Sequence, residues 1–515
     1  MLLSDDTEGF AFPSVRELNV AGSAEFRVDS PLPQGLISLN GSFLLAEDLR
    51  KWQLPSTLKH LEVRTSKLAI FDEETMTMPP HLEHLALRGD ELKWISISSQ
   101  RLKSLKIDCN HIKVLNARNA PHLDSLSLLM RSGDWSNVHL APQTEIQMKT
   151  LEIHGIHAFV LPDDFADRFP QLEELTLDAH FSEESSSTFL TAAYLPKTLK
   201  RLHVTNIGPN SHLDLSQFAN LIEVKIASNS LSSLANIILP ESLHTLRLAG
   251  HSLTTLRHNG VSRLPSNLVE FELRGGRINR LVAGDLPPRL ERLIATSYEI
   301  KLIELASYKR LRHVDFFAHD LESLNGDDLP PFLETLNLGP QADLDVHFDK
   351  PHATLRKLYL GIANPCDLSN LSALLYLSLG TGKHEVRLPS SLQTLSLPIR
   401  ENMESIRTTL RSLPRLQLFK NFEDTLDAIA DLPPSCRMIY NYGPFARQMR
   451  FSAEAEQEAA KRNIAVLDRG YIGSRNVEAI PPLLDAWIEE AKLTSSVSES
   501  NEDIEMEEVL EDMLD

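Results

Sequence analysis

The chain has 515 residues, with 51 lysines and arginines against 71 aspartates and glutamates, a formal charge of −20, and three cysteines. That balance argues against general binding to nucleic acid or to an anionic membrane, both of which need a basic surface. Cys109, Cys366 and Cys436 are too few and too widely spaced for a disulfide framework or a cysteine-rich metal centre. The N-terminal "MLLSDDTEGFAFPS" carries acids where a signal peptide carries bases, and no apolar run reaches the length of a membrane span. A soluble protein of a reducing compartment is expected, cytoplasmic with the nucleus also open.

In chain order, the first predicted strand is "VRELNV", beginning at Val15. With 14 residues ahead of it, its sheet edge has little to cover it, so two readings stand: a minimal cap, or an edge covered by a partner or a second copy. The same spacing, L-x-x-L-x-L, then recurs. It begins at Val15, Leu36, Leu58, Leu82, Leu102, Leu123, Met148, Leu172, Leu199, Leu221, Leu243, Leu268, Leu290, Leu311, Leu333, Leu355, Leu374, Leu392, Leu413 and, degraded, Cys436. That makes 20 copies about 22 residues apart. Gaps of three and two fit neither a helix nor an isolated strand. They fit a short parallel strand whose alternate residues enter a core shared with the neighbouring copies.

The copies "LKSLKIDCNHIKVL" and "LIEVKIASNSLSSL", with Asn110 and Asn229 at the ninth position, resemble leucine-rich repeats, and the resemblance covers roughly residues 12 to 440. It implies an α/β repeat solenoid: a horseshoe with a concave parallel sheet of about 20 strands. At the ninth position an asparagine amide is expected to satisfy backbone groups where the strand turns away. Elsewhere that position holds Ser66, Asp90, His180, His251, Gly276, Tyr298 or His319, so irregular turns are expected. Many copies enter through a proline segment such as "LPSTL", "LPESL" or "LPSSL". They resemble the short LPxxL repeats of bacterial effectors and some microbial eukaryotic proteins, which implies a mostly non-helical convex side.

The repeats are assigned to residues 1–440. Residues 441–493 are expected to form a cap with two short helices, the first within 451–470 and followed by a short strand, the second at 480–492 with Leu483, Leu484, Trp487, Ile488 and Ala491 on one stripe. Residues 494–515 carry nine acids and no base and are expected to be disordered on their own. Met506, Val509, Leu510, Met513 and Leu514 nevertheless fall at helical spacing, so this tail has two readings, a solubilising segment or an acidic helix for a partner's groove.

Standard catalytic motifs are absent: the sequence contains no phosphate loop, no G-x-S-x-G, no H-E-x-x-H and no C-x-x-C. His154 and His157 form a close pair without evident further ligands, and Cys366 in "NPCDLS" lies inside a repeat, where a structural role is expected. No metal, cofactor or enzymatic activity is therefore assigned. Some LPxxL effectors carry a cysteine-dependent ubiquitin ligase after their repeats; here no cysteine follows Cys436. The expected function is a non-enzymatic scaffold that binds a protein on its concave face, with no nucleic acid or membrane as partner. The alternative resembles F-box ubiquitin-ligase adaptors, a substrate-recognition subunit relying on a separate docking subunit.

In this fold the third, fifth and seventh residues of each repeat face the concavity. Phe317, Tyr359 and Tyr376 stand there near three seventh-position glycines, Gly339, Gly361 and Gly380, with His313, Asp315, Lys357 and Arg292 around them. This is the first candidate interface, its glycines read as an open floor for a partner. The second is a basic corner of His60, Arg64, His84 and Arg88.

Overall fold

The structure is a computed structural model. It describes residues 15–20, 32–42, 54–64, 68–133, 138–140, 147–155, 163–178, 192–205, 212–229, 231–250, 252–297, 299–317, 320–340, 344–361, 366–380, 386–397, 410–421, 432–441 and 453–468. One parallel sheet of 21 strands runs through all of it, each strand pairing with the next repeat's, from Glu17–Val20 to Ala465–Asp468. Each rung is named below by the first residue of its repeat.

Pairing keeps like positions opposite one another. Thr245, Leu246 and Arg247 face Glu223, Val224 and Lys225 on one side and Glu270, Phe271 and Glu272 on the other. Leu246 and Leu248 are buried while Arg247 is exposed, and the same alternation holds from rung to rung. The irregular leucine spacing thus resolves into one continuous core, in which each buried leucine contributes roughly 1.5–3 kcal/mol and depends on its neighbours for burial.

Strand entry uses one turn in two chemical forms. In the proline repeats the first leucine's N–H donates to a proline carbonyl three residues earlier, as Leu58 to Pro55, Leu243 to Pro240 and Leu392 to Pro389. Proline lacks an N–H to donate and needs none here. In the other repeats a core side chain takes its place: Leu221 donates to Phe218, Leu311 to Tyr308 and Leu374 to Leu371. A hydroxyl one residue before the leucine often ties the turn to the preceding rung. Thr57 Oγ1 donates to the Leu36 carbonyl at 2.8 Å, Ser242 Oγ to Leu221 at 2.8 Å and Ser391 Oγ to Leu374 at 2.7 Å.

Two expectations are corrected. The repeat read from Leu413 begins at Leu416, because Leu418 and Phe419 pair with Thr394 and Leu395. Leu413 occupies the turn, its N–H on the Leu410 carbonyl, as Leu371 does on Leu368. The ninth-position asparagines do not act alike either. Asn229 is exposed, and it is its backbone carbonyl that accepts from Ser252 Oγ at 2.7 Å. Asn110 lies within a nine-residue strand, Ser104–Ile112, that does not turn there. Burial falls on the eighth position: Ser297 is fully buried and its Oγ donates to the Gly276 carbonyl at 3.0 Å. At the equivalent Gly250, a Cβ would lie 2.6 Å from the Ser228 carbonyl oxygen, so successive turns stack too closely for a larger residue.

The convex side is largely extended. A four-stranded sheet of Ile70–Phe71, Trp94–Ser98, Val114–Asn119 and Val138–Leu140 backs the early rungs. Short parallel pairs follow later, such as Leu213–Asp214 with Ile237–Ile238. The 25-residue step from Leu243 to Leu268 accommodates a hairpin, Arg257–His258 with Val261–Ser262, whose two-residue turn has positive φ at Asn259 and Gly260. Near the C-terminus, helix Ala453–Lys461 precedes strand Ala465–Asp468, which adds a rung beyond the repeats counted in the sequence. The expected second helix and the acidic tail, with Met506, Val509, Leu510, Met513 and Leu514, lie outside the described residues.

Candidate protein interface on the concave sheet

The sheet brings the first set of predicted residues into adjoining rungs. Tyr376 and Tyr359 are diagonal neighbours, since Lys357 pairs with Tyr376 and Tyr359 with Ser378. Their rings lie 4.9 Å apart at 40° and both are half-buried. Burial raises the Tyr359 phenol above its usual range, opposed by a hydrogen bond with Tyr376. Asp315, Asn337 and Tyr359 occupy the fifth position of successive rungs. Burial also raises the Asp315 carboxyl, opposed by the Arg292 charge and an Asn337 hydrogen bond, and it lowers the Lys357 ammonium. Arg292 and His313 are paired at the third position and exposed.

The glycines do not form an open floor. A Cβ on Gly339 would lie 2.5 Å from Phe317 Cδ1, so the Phe317 ring covers that glycine. A Cβ on Gly380 would lie 2.6 Å from Gly361 Cα, so these two backbones pack on each other. All three serve packing between rungs. What faces the concavity is the tyrosine pair, with Lys357 beside it and His313 and Arg292 two and three rungs away in the same row.

At the basic corner His60 and His84 pair directly, their rings stacked 4.5 Å apart at 6°. Burial, with the His60 charge next, lowers His84. Arg64 pairs with Glu62 at 3.1 Å and Arg88 with Asp108 at 2.9 Å, which quenches much of the expected positive field.

No family model matches this sequence. The structure is similar to that of CroV588, described as a novel circular LRR protein, with a TM-score of 0.58 and 16% identity over 85% of this chain and 70% of that one. The chain has the leucine-rich-repeat fold. Lower on the same scale are YopM from Yersinia enterocolitica (TM-score 0.43, 21% identity, 79% of this chain and 83% of that one) and a chain of the mouse RP105/MD-1 complex (0.47, 13%, 86% and 88%).

A third cluster, unrecognised in the sequence, lies midway along the concave face of this leucine-rich-repeat chain. His154 sits between Asp178 at 3.3 Å and Glu152 at 3.9 Å, which together raise it to about 9, and Asp178 is held down at about 2 chiefly by that same contact. Thr205 Oγ1 donates to Asp178 at 2.6 Å. His157 lies outside the described residues. Among the described residues, no group of three or more histidines, cysteines and acids could hold a metal ion, and no helix is long and apolar enough to cross a membrane. Cys109, Cys366 and Cys436 are buried and unpaired, and burial pushes their thiols up to about 12, 12 and 11, the reverse of what a nucleophile needs.

The signal for the third cluster was present in the fifth and seventh positions of neighbouring repeats. It is invisible when each histidine is judged alone.

Proposed function

We propose that the chain is a non-enzymatic scaffold that holds a protein partner against the concave sheet, with the tyrosine corner as its anchor. The observation that carries this reading is the Tyr359–Tyr376 pair: two aromatic rings in contact and half-buried, with Lys357 beside them and the exposed His313 and Arg292 two and three rungs further along the same face. Aromatic anchors with a polar rim are the usual energetic centre of a protein interface. Asp315 and Lys357 add polar groups already partly stripped of water, which favours discrimination between partners.

Three free cysteines suit a reducing compartment, and we place the scaffold in the cytoplasm or nucleus on that ground. The test is affinity capture of partners from native lysate with the whole chain and with Tyr359→Ala. A partner retained equally by both, with unchanged affinity on titration, removes the tyrosine corner from the proposal.

A further inference from the structure

Charges along the middle of the concave sheet are mostly answered within it. Arg201 pairs with Glu174, Arg274 with Glu272, and Arg247 with Glu272 at 3.4 Å and Glu223 at 3.7 Å. His203 and Lys225 break the pattern. They are directly opposed at the fifth position of the Leu199 and Leu221 rungs, with Arg247 next in the same row. Among the described residues, the buried His203 Nε2 has no hydrogen-bond partner. Lys225 is half-buried and, among the described residues, has no carboxylate within ion-pair distance.

A buried imidazole nitrogen left without a partner and a partly desolvated ammonium left unpaired both carry an energetic penalty in the free protein. Two such defects in adjacent rungs, on the face proposed to receive a partner, have a common remedy. We propose that His203 and Lys225 form a receptor for one carboxylate of a bound polypeptide, an aspartate or glutamate side chain or a C-terminus. The Lys225 ammonium supplies the charge; the His203 imidazole, as its Nε2–H tautomer and with Nε2 uncovered as the carboxylate enters, supplies the second hydrogen bond. The site fits a single negative charge. One ammonium answers one carboxylate, while Asp178 and Glu272, which also act on these two residues, oppose a dianion such as phosphate. Burial lowers both groups, His203 to about 4, and the positive neighbours Lys225, His154, Arg247 and Arg274 act in the same direction. An arriving carboxylate would relieve both.

The proposal rests on the concave face being the binding face, but its test needs no partner. The full chain is labelled with carbon-13 at histidine Cε1, and the His203 resonance is assigned by its loss in His203→Gln. The probe is N-acetylglutamate α-amide at constant ionic strength, with N-acetylglutamine α-amide and chloride as controls. The expected result is a saturable shift of His203 with glutamate alone, half complete at roughly tens of millimolar for one charge-assisted contact, and absent in Lys225→Met. The melting temperature of Lys225→Met without probe should equal or exceed that of the unsubstituted chain, because an unpaired ammonium is removed.

Equal shifts with glutamine or chloride, no shift at several times that concentration, or a persistent shift in Lys225→Met would overturn the carboxylate receptor. A Lys225→Met chain that melts well below the parent would assign Lys225 a structural role and overturn it as well. None of these outcomes bears on Tyr359, so failure here is distinguishable from failure of the tyrosine corner.

Discussion

The two corners of the concave sheet predicted as interfaces are built from the same strand positions and differ in what their neighbours do. At the His60 end the seventh-position side chains are arginines, and each has a carboxylate to meet, Glu62 or Asp108. At the Tyr359 end the seventh position is taken by Phe317 and by glycines, and the polar groups beside the tyrosines are desolvated. Charge summed down a column therefore overstates the basic corner. Aromatic area with imperfectly solvated polar groups is what a partner can exploit, and that lies at the other end.

The largest expected difference between the corners is in binding. Tyr359→Ala should weaken the captured partner by at least about 2 kcal/mol, roughly thirtyfold, with the fold nearly unchanged. Isothermal titration of both forms measures it, and parity between them would reverse the ranking of the corners. Next is packing. A methyl at Gly380 meets the Gly361 backbone, which cannot rotate away as a side chain can. Gly380→Ala should cost about 1–3 kcal/mol in urea unfolding, the usual range for overpacking. Arg88→Ala, at the same strand position in the other corner, has its side chain in solvent and should cost far less. Similar losses from the two substitutions would mean that the glycine backbones are not held together.

Acid should move the two corners in opposite directions. His84 is lowered, so its stabilising neutral form is fully present above the unfolded value near 6.5 and is lost as pH falls through the folded one. The charged groups acting on it are His60, Glu83, Lys103 and Asp124. Asp315 is raised, with Arg292 and His313 acting against the shift; its contribution is fully present below the unfolded value near 3.8 and declines as pH rises through the folded one. From about pH 8 to about pH 4, His84→Gln should gain stability relative to the parent, while Asp315→Asn should lose most of the advantage it holds at the higher pH. Each change should be under about 1 kcal/mol after screening. Urea midpoints of the three chains at both pH values would show it, and parallel slopes would remove the contrast.

Most of the solenoid was legible because one physical demand, apolar side chains at alternate strand positions, is restated in every repeat. The misreading at Leu413 shows the limit of that legibility. "LRSLPRLQLF" satisfies the leucine template from Leu413, yet Leu410, Leu413 and Leu416 belong to a different recurring pattern, the one that also places Leu305, Tyr308 and Leu311. That entry turn could have been found by aligning the residues ahead of each strand. The glycine floor was not legible, because whether a missing side chain leaves room for a partner or for a neighbouring ring depends on atoms from another repeat. The same holds for Lys225, which among the described residues lacks the carboxylate at ion-pair distance that Arg201, Arg247 and Arg274 each have.

The smallest effect is also the most direct test of how the basic corner is quenched. Arg64 and Glu62 meet at 3.1 Å on one strand, with 47% and 32% of their side chains exposed, so solvent already screens both charges. Pairs of this kind contribute between nothing and about 1 kcal/mol. Arg64→Ala should therefore shift unfolding by no more than about 0.5 kcal/mol and leave partner affinity within about twofold, at low and high salt alike. A tenfold loss of affinity that disappears in high salt would mean that Arg64 leaves Glu62 for an acidic partner. The basic corner would then be the anchor, and the stacked His60 and His84 part of its surface.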